Sequence, residues 1–277
     1  MNYIERFIES IRFSMDTPKP YEAFHLISLL ITAVLIVIIS LNRKNKSELK
    51  LRLVFGIYGF SCLILEILKQ LLFSSTYDPN SNILTWDFKW YSFPFQFCTT
   101  PMYAACIACF LKECKLRRAL ISYISFFTIL GGIMVMLLPS DVYTRIVISN
   151  IHTTVLHAGG IVVSLFLIIT GYVRLEKKSL LRGLFVYLTC VAVAQTLNVT
   201  LYKSGVLNGQ TLDLFFISPY FKTSMPVFNL IDQVVDSVLY VILYVLAFLL
   251  GSSIVYGISR IVKSIRNRQK ESKLLSV

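Results

Sequence analysis

Long apolar runs constrain this chain more than any other feature of its sequence. Hydrophobic residues make up 56% of the chain and charged residues 15%, whereas soluble domains carry about 25% charged residues. Several runs approach the ~20 apolar residues that a helix needs to cross ~30 Å of hydrocarbon. We therefore predict an all-α, polytopic membrane helix bundle, forming a single transmembrane domain over residues 1–277. Its seven predicted spans are about 21–41, 51–73, 92–111, 119–138, 147–172, 180–203 and 230–258.

The distribution of basic residues predicts the orientation of the bundle. The connections after the first, third and fifth predicted spans, together with a basic tail at 259–277, hold 19 of the 27 lysines and arginines. Cytoplasmic connections are enriched in these residues. We therefore expect the N-terminus outside and the C-terminus in the cytoplasm, in the plasma membrane if the source is bacterial. The net charge of +12 then reflects topology, and we expect no nucleic-acid partner.

Cysteine and histidine spacing gives no sign of a metal site. The six cysteines all fall in or beside apolar runs. Cys106 and Cys109 form the one C-x-x-C pair, but it lies inside a predicted span, where we expect a packing role. The three histidines, with the acids near them, do not match a defined ligand set. We therefore expect neither a metal nor a cofactor.

Polar side chains gather in the outer halves of the predicted spans, although ionisable groups are costly inside a bilayer. Glu66 and Lys69 are three residues apart, so they share a helix face. They form either a structural ion pair or an anchor for a lipid headgroup. Asp232 and Asp236 open the seventh span, where they either line a cavity or cap the helix. The other members are Glu22, His25, His152, Gln195, Asn198, Tyr202 and Asn229. The clustering predicts a polar cavity open toward the outer leaflet or the external water.

The segment 204–229 is a long connection on the same side, and it is half apolar. It carries Phe215, Phe216, Tyr220, Phe221 and Phe228. Two alternatives remain open from the sequence. The segment either lies on or dips into the outer leaflet, or it packs as a plug against the helices.

His157 is predicted to lie near the middle of the membrane, where a histidine needs partners. Asn150 and Thr153 share its helix face. Gly159 and Gly160 follow it and permit close approach of another helix. We expect His157 to be functional, whereas His25 and His152 are expected to be hydrogen-bonding residues near the interface.

The stretch FPFQFCTTP, residues 93–101, opens the third predicted span. Pro94 is expected in the first turn, where a missing N–H costs little, and Pro101 frees the carbonyl of Phe97. This places a polar, kinked backbone beside Cys98. A thiolate is nucleophilic, and a histidine base is its usual activator. Cys98 is thus either a packing residue or a nucleophile. As a nucleophile it would use His157 as the base, with Gln96 or Thr99 donating to an oxyanion.

Several of these features resemble a known family. They are Glu66-x-x-Lys69, Pro94-Phe-Gln-Phe-Cys98, His157, Asn198 and the ISPYF stretch at 217–221. The chain resembles the YwaF-like bacterial membrane proteins, which are related to the eukaryotic transmembrane-protein-164 acyltransferases. The resemblance implies a seven-helix lipid acyltransferase, in which a cysteine takes an acyl chain from a phospholipid and passes it to a lysophospholipid. By position, Cys98 corresponds to the nucleophile and His157 to its base.

Three functions therefore remain as hypotheses. The first is a membrane lipid acyltransferase with membrane lipids as partners. In it, Gln96, Thr99 and Asn198 stabilise the oxyanion or orient the substrate, and Glu66, Lys69, Asp232 and Asp236 line the polar cavity. The second is a transporter of ions or small solutes. Against it, the inner half lacks the polar groups of a path, and no internal repeat is visible. The third is a membrane protein that binds lipid without turning it over.

Overall fold

The structure is a computed structural model that describes residues 3–44, 46–78, 80–81, 83–139 and 142–275, and for 270–275 the backbone alone. Its helices are α1 (Tyr3–Ser10), α2 (Ala23–Leu41), α3 (Glu48–Ser74), α4 (Thr100–Phe110), α5 (Lys115–Tyr123), α6 (Ile129–Leu137), α7 (Val147–Ile169), α8 (Lys177–Lys203), α9 (Phe228–Asp232) and α10 (Ser237–Leu275). A π-helical turn, Ile124–Thr128, makes α5 and α6 continuous. Strands β1 (Ser75–Asp78) and β2 (Ile83–Trp86) form an antiparallel hairpin.

Six helices of the described chain are long and apolar enough to cross a membrane. They are α2, α3, the α5–α6 rod, α7, α8 and α10. Their outward faces carry large apolar side chains such as Leu30, Ile57 and Leu250, each more than half exposed. Such faces are stable in lipid and would be costly in water. The chain is therefore an integral, multi-pass membrane protein.

The third predicted span differs from the prediction. Residues 92–111 contain only α4, a helix of 11 residues that covers about half of a ~30 Å hydrocarbon layer. The residues before Thr100 form turns instead of a helix. Hydropathy detects apolar residues at 93–98 without distinguishing turns from a helix. The count of seven spans therefore remains a prediction.

α3 and α4 run antiparallel in close contact. A Cβ atom on Gly59 would lie 2.8 Å from Cys106 Sγ and 2.9 Å from its backbone nitrogen, so only glycine allows this approach. At one end of the pair, the Arg52 guanidinium donates to the carbonyls of Cys109 and Leu111, which closes the C-terminus of α4. At the other end, the Gln70 side chain bonds to the backbone and hydroxyl of Ser92.

These contacts define two ends of the bundle. The hairpin end carries β1, β2, residues 90–99 and the segment 204–236. The basic end carries residues 42–44, 46–47, 111–114 and 170–176 and the last turns of α10. The expectation that the basic end faces the cytoplasm remains a prediction.

Aromatic side chains fill the middle of the bundle. Phe97 meets Phe248 with 4.4 Å between ring centroids, and Tyr187 stacks on Phe127 at 5.1 Å. Tyr123 and Tyr244 are fully buried beside them. The predicted close approach at HAGG is confirmed, because Gly159 and Gly160 lie against the Tyr58 side chain.

The segment 204–229 packs against the bundle. Leu207, Leu212, Leu214, Phe215 and Ile217 are all buried, which favours the plug alternative.

The seventh predicted span, 230–258, is interrupted: α9 ends at Asp232 and α10 begins at Ser237. The predicted tail at 259–277 continues α10 as helix up to Leu275, and its last two residues lie outside the described part.

Candidate functional site

Glu66 is the centre of a buried polar cluster at the hairpin end of α3. Its side chain is only 3% exposed. Lys69 Nζ lies 2.8 Å from Oε1 and 3.0 Å from Oε2, and Gln70 Nε2 donates to Oε1 at 2.7 Å. His152 Nε2, from α7, lies 3.0 Å from Oε2. The predicted Glu66–Lys69 ion pair is therefore confirmed within α3, and the contact of Glu66 with His152 joins α3 to α7.

His157 lies one turn deeper on α7 than Thr153. Its ring Nδ1 is 2.8 Å from the carbonyl oxygen of Thr153. A carbonyl oxygen only accepts, so Nδ1 carries the proton and Nε2 keeps its lone pair in the neutral ring. This is the tautomer that a base acting through Nε2 requires.

His25 is engaged elsewhere. The backbone N–H of Tyr21 donates to its Nδ1 at 2.9 Å, and its Nε2 donates to the carbonyl of Met136 at 3.0 Å. The ring is completely buried. His25 therefore ties the start of α2 to the end of α6, as the expected hydrogen-bonding residue, within the protein and not at its surface.

Cys98 is half-buried in the turn that precedes α4. Pro101, and not Pro94 as expected, lies in the first turn of that helix, where the missing N–H of a proline costs little. The carbonyl of Phe97 is satisfied by the hydroxyl of Thr100 at 3.0 Å. Cys98 stands two residues before Thr100, the first residue of α4. Burial raises the pKa of its thiol, so a base is needed to form the thiolate.

Lys69 is the one charged group that acts on both Cys98 and His157 among the described residues, and it acts through its electrostatic field and not through a hydrogen bond to either. The Tyr58 hydroxyl donates to the carbonyl of Leu156, the residue before His157, at 3.2 Å. Within the described chain, no hydrogen bond joins Cys98 to His157. Their pairing therefore remains a prediction.

Gln96 and Asn198 hold one turn from two sides. Asn198 donates to the carbonyl of Leu214 at 3.1 Å and accepts from its N–H at 2.9 Å. Gln96 donates to the carbonyl of Asp213 at 3.0 Å and accepts from the N–H of Phe215 at 2.7 Å. We call residues 213–215 with these two amides the amide clamp.

The amide clamp holds a strained backbone. Phe215 and Phe216 both have φ of 58°, a left-handed conformation that costs bulky residues about 1–3 kcal/mol. The hydroxyl of Thr99 bonds only within its own turn, to the backbone of Gln96. An oxyanion role for Gln96, Thr99 and Asn198 thus remains a prediction, and the contacts observed are positioning contacts.

The two aspartates before α10 also make structural contacts. Asp236 Oδ1 accepts from the N–H groups of Val238 and Leu239 at 2.9 and 3.0 Å, so the capping alternative is confirmed for it. Asp232 Oδ2 accepts from the N–H of Thr223 at 2.9 Å, and Lys222 pairs with Oδ1. Their place in a polar cavity remains a prediction.

Asp213 is an ionisable group of the amide clamp that sequence reasoning missed. Burial raises the pKa of its carboxyl to about 7, and the nearby Asp232 adds to the rise, while the N–H of Ser218 opposes it. Nothing in the sequence distinguishes this aspartate from an exposed loop residue.

A groove of about 600 Å³ opens at the hairpin end between α3, β2 and α4. Its floor includes Glu66 and Gln70, and the rest of the lining is nearly all apolar, with Leu63, Trp86 and Tyr103 among the wall residues. The groove thus has an apolar wall and one polar patch. Of the residues expected in a polar cavity only Glu66 lines it, and neither Cys98 nor His157 does, so the predicted polar cavity remains a prediction. Gln70 and Tyr103 were missed, although the spacing of four from Glu66 to Gln70 signals a shared helix face.

Among the described residues, no group of three histidine, cysteine or acidic side chains is arranged to hold a metal ion. The polar cluster at Glu66 combines one carboxylate with cationic and amide partners, a donor set that suits hydrogen bonding and not metal ligation.

Comparison with known proteins identifies the family. No curated protein and no solved structure matches the chain. The model of the TMEM164 family matches residues 15–256, which covers the polar cluster, the Cys98 turn and the amide clamp. The chain belongs to the TMEM164 family.

Proposed function

We propose that this protein is a membrane lipid acyltransferase in which Cys98 carries the acyl group as a thioester and His157 moves the proton. The observation that carries the proposal is the arrangement at the hairpin end. There a half-buried thiol just before α4 and a histidine of suitable tautomer lie in the electrostatic field of Lys69. The family assignment supports the same chemistry through the resemblance of these motifs. We further propose kinship with the YwaF-like bacterial members and a place in the plasma membrane.

The first half-reaction transfers the acyl group to the enzyme. The thiol of Cys98 gives its proton to Nε2 of His157, and the sulfur attacks the acyl carbonyl of a phospholipid. A carbon–sulfur bond forms and the ester carbon–oxygen bond breaks. The proton on His157 goes to the leaving oxygen, which yields a lysophospholipid.

The second half-reaction reverses these roles on another lysophospholipid. Its hydroxyl gives a proton to His157 and attacks the thioester, so an ester forms and Cys98 is released as a thiol. No oxidant and no further reactant is needed. Cys98 and His157 must come within ~3 Å, directly or through one water, when the substrate is bound.

The groove supports a lipid as the substrate. Its apolar walls suit an acyl chain, and Glu66 and Gln70 offer charged and hydrogen-bonding groups for the polar part of the molecule. Lys69 does not line the groove but pairs with Glu66 behind it. Backbone N–H groups before α4 are additional candidates for stabilising the oxyanion. The aromatic middle of the bundle offers no polar route through the described helices, which weighs against the transporter alternative.

The test is acyl transfer by the purified protein in lipid nanodiscs. A phospholipid with an isotope-labelled acyl chain and an unlabelled lysophospholipid are supplied, and the labelled product is measured by mass spectrometry. We expect transfer by the wild type and by Cys106→Ala, which removes a thiol two turns further along α4. We expect at least a hundredfold loss in Cys98→Ala. Equal transfer by Cys98→Ala would refute the thioester route.

The variant His157→Gln distinguishes proton transfer by the imidazole from a purely structural role of this side chain. Loss of transfer with unchanged thermal stability and unchanged lipid retention supports proton transfer by the imidazole. Bound lipid that is never turned over by the wild type would instead favour the non-catalytic alternative.

A further inference from the structure

The basic end of the bundle holds a second cavity, remote from the Cys98 turn. It measures about 500 Å³ and lies between the C-terminal ends of α2 and α7 and the last turns of α10. Its rim carries four basic residues, Arg43 and Lys44 after α2 and Lys263 and Arg266 on α10. No acidic residue lines it.

The four cations have no acidic partner among the side chains that the structure describes. In the described part of the chain, none of them forms an ion pair with an aspartate or a glutamate. The Nε atom of Arg43 is buried without a hydrogen-bond partner. The C-terminal ends of α2 and α7 each contribute about half a negative charge. About three positive charges therefore remain, which favours an anionic ligand.

The walls of the cavity distinguish between anions. Leu165, Ile168 and Ile169 of α7 and Ile258 and Val262 of α10 line it, and both helices are long and apolar enough to span a membrane. A soluble anion would gain nothing from these side chains. A phospholipid would place its acyl chains along them and its headgroup among the cations.

We propose that this cavity binds an anionic phospholipid of the leaflet at the basic end, with the phosphate between Arg43 and Lys44 on one side and Lys263 and Arg266 on the other. The inference is independent of the proposed chemistry at Cys98, because the two sites lie at opposite ends of the bundle. Occupation would join α2 to α10 through a lipid.

The test is native mass spectrometry of the full-length protein with added phosphatidylglycerol or phosphatidylcholine of the same chains. We expect the wild type to bind one phosphatidylglycerol much more tightly than phosphatidylcholine. Removing a cation near an anionic surface weakens binding by about 1 kcal/mol, or about fivefold. The Lys44→Gln/Lys263→Gln variant is therefore expected to bind about 25-fold more weakly.

The matched control removes the same charge from the same end of the bundle. Lys112 and Lys115 are exposed and lie outside the cavity, so Lys112→Gln/Lys115→Gln should keep most of the affinity. Equal losses in the two variants would overturn the site, because they would show a diffuse charge effect. Equal affinity of the wild type for both lipids would overturn it as well.

Two further experiments with the wild type show whether the cavity binds a lipid phosphate or a soluble phosphate. Inorganic phosphate and glycerophosphoglycerol are added as competitors to the wild type. If either displaces the lipid at comparable concentration, the cavity is a soluble-anion site and the proposal fails. Raising the salt should weaken phosphatidylglycerol binding only in part, since the acyl chains stay in contact with α7 and α10.

Discussion

At the scale of single residues, the account depends on the buried carboxylate of Glu66. Four polar contacts from three side chains converge on it. Removing one partner of a buried ion pair costs about 3–5 kcal/mol, because the remaining charge is left uncompensated, whereas removing the whole pair costs less. Glu66 is therefore a structural centre whatever else it does.

We expect Glu66→Gln to lower the melting temperature of the detergent-solubilised protein more than Glu66→Leu/Lys69→Met does. The single variant leaves the Lys69 ammonium buried beside a neutral amide, while the double variant removes both charges. Thermal melts of the wild type, Glu66→Leu, Lys69→Met and the double variant give the coupling energy of the pair.

The pair Lys19–Glu22 provides the matched control, because it has the same spacing but both side chains are more than half exposed. Exposed pairs contribute about 0–1 kcal/mol, so Glu22→Gln should leave the melt unchanged. If Glu66→Gln behaved like Glu22→Gln, the buried cluster would not carry the stability assigned to it.

The Glu66–Lys69 pair could be predicted from the sequence, because both residues lie on one helix at a spacing that places them on the same face. It missed the connection to His152, since the register between α3 and α7 is set by tertiary packing against Tyr58. The pairing of Cys98 with His157 was predicted from the residues themselves and then supported by the family resemblance. It remains a prediction, because no hydrogen bond joins the two side chains in the described part of the chain.

At the scale of elements, the amide clamp holds the strained turn at Phe215 against the Cys98 turn. A buried backbone group left unpaired costs about 1–3 kcal/mol. We expect Asn198→Leu to destabilise the protein by about 2 kcal/mol, because the buried N–H of Leu214 loses its partner and the carbonyl keeps only the N–H of Ile217. The measurement is thermal melting together with limited proteolysis of the segment 204–229.

Thr200→Val serves as the control for that variant, because it lies on the same helix, is exposed and bonds only within α8. It should leave both melting and proteolysis unchanged. Faster cleavage of 204–229 in Asn198→Leu alone would support the clamp, and identical cleavage patterns in both variants would contradict it.

Asp213 makes the same turn sensitive to pH. Its pKa of about 7 in the folded protein exceeds the value near 3.9 of an unfolded chain. The folded state therefore binds the additional proton between these values, so this contribution to stability is present below about pH 4 and is lost as the pH rises through about 7. We expect Asp213→Asn to remove that loss.

The check is the melting temperature of Asp213→Asn and wild type from pH 5 to pH 8. The variant should gain relative to the wild type as the pH rises, and the gap should level off above pH 7. Asp78→Asn is the control, because Asp78 is fully exposed on the hairpin. A gap that stays constant with pH would mean that Asp213 ionises normally in the folded protein.

Element boundaries show where hydropathy fails. It located the six long helices, because lipid-facing helices need apolar residues throughout. It did not show that residues 93–99 form turns, since Phe93, Phe95 and Phe97 contribute the same apolarity in a turn as in a helix. The prolines and Gln96 were the residues in this stretch that indicated an irregular backbone. The hydrogen bonds of Gln96 in the amide clamp explain how that backbone is stabilised.

At the scale of the whole molecule, the two ends of the bundle have different chemistry. The hairpin end combines a thiol, histidines and a groove, and the basic end combines cations with apolar walls. From the positive-inside rule we predict that the basic end faces the cytoplasm. This predicted orientation would place the Cys98 turn in the outer half of the membrane.

Cysteine labelling tests the orientation. We expect a membrane-impermeant maleimide to label Ser81→Cys, at the exposed tip of the hairpin, on intact cells. Lys112→Cys, exposed at the basic end, should react only after permeabilisation. The wild type provides the background of its own cysteines. The reverse pattern would invert the topology and move the proposed chemistry to the cytoplasmic leaflet.

The most direct test of the central claim is to trap the acyl group on the protein. Membranes containing the wild type, Cys98→Ala or Cys106→Ala are incubated with a phospholipid that carries a clickable acyl chain, and the modified residue is mapped by mass spectrometry. The account predicts a hydroxylamine-sensitive label on Cys98 in the wild type and in Cys106→Ala, and none in Cys98→Ala. A wild type that stays unlabelled while a control acyltransferase is labelled would contradict it, as would a label that persists in Cys98→Ala.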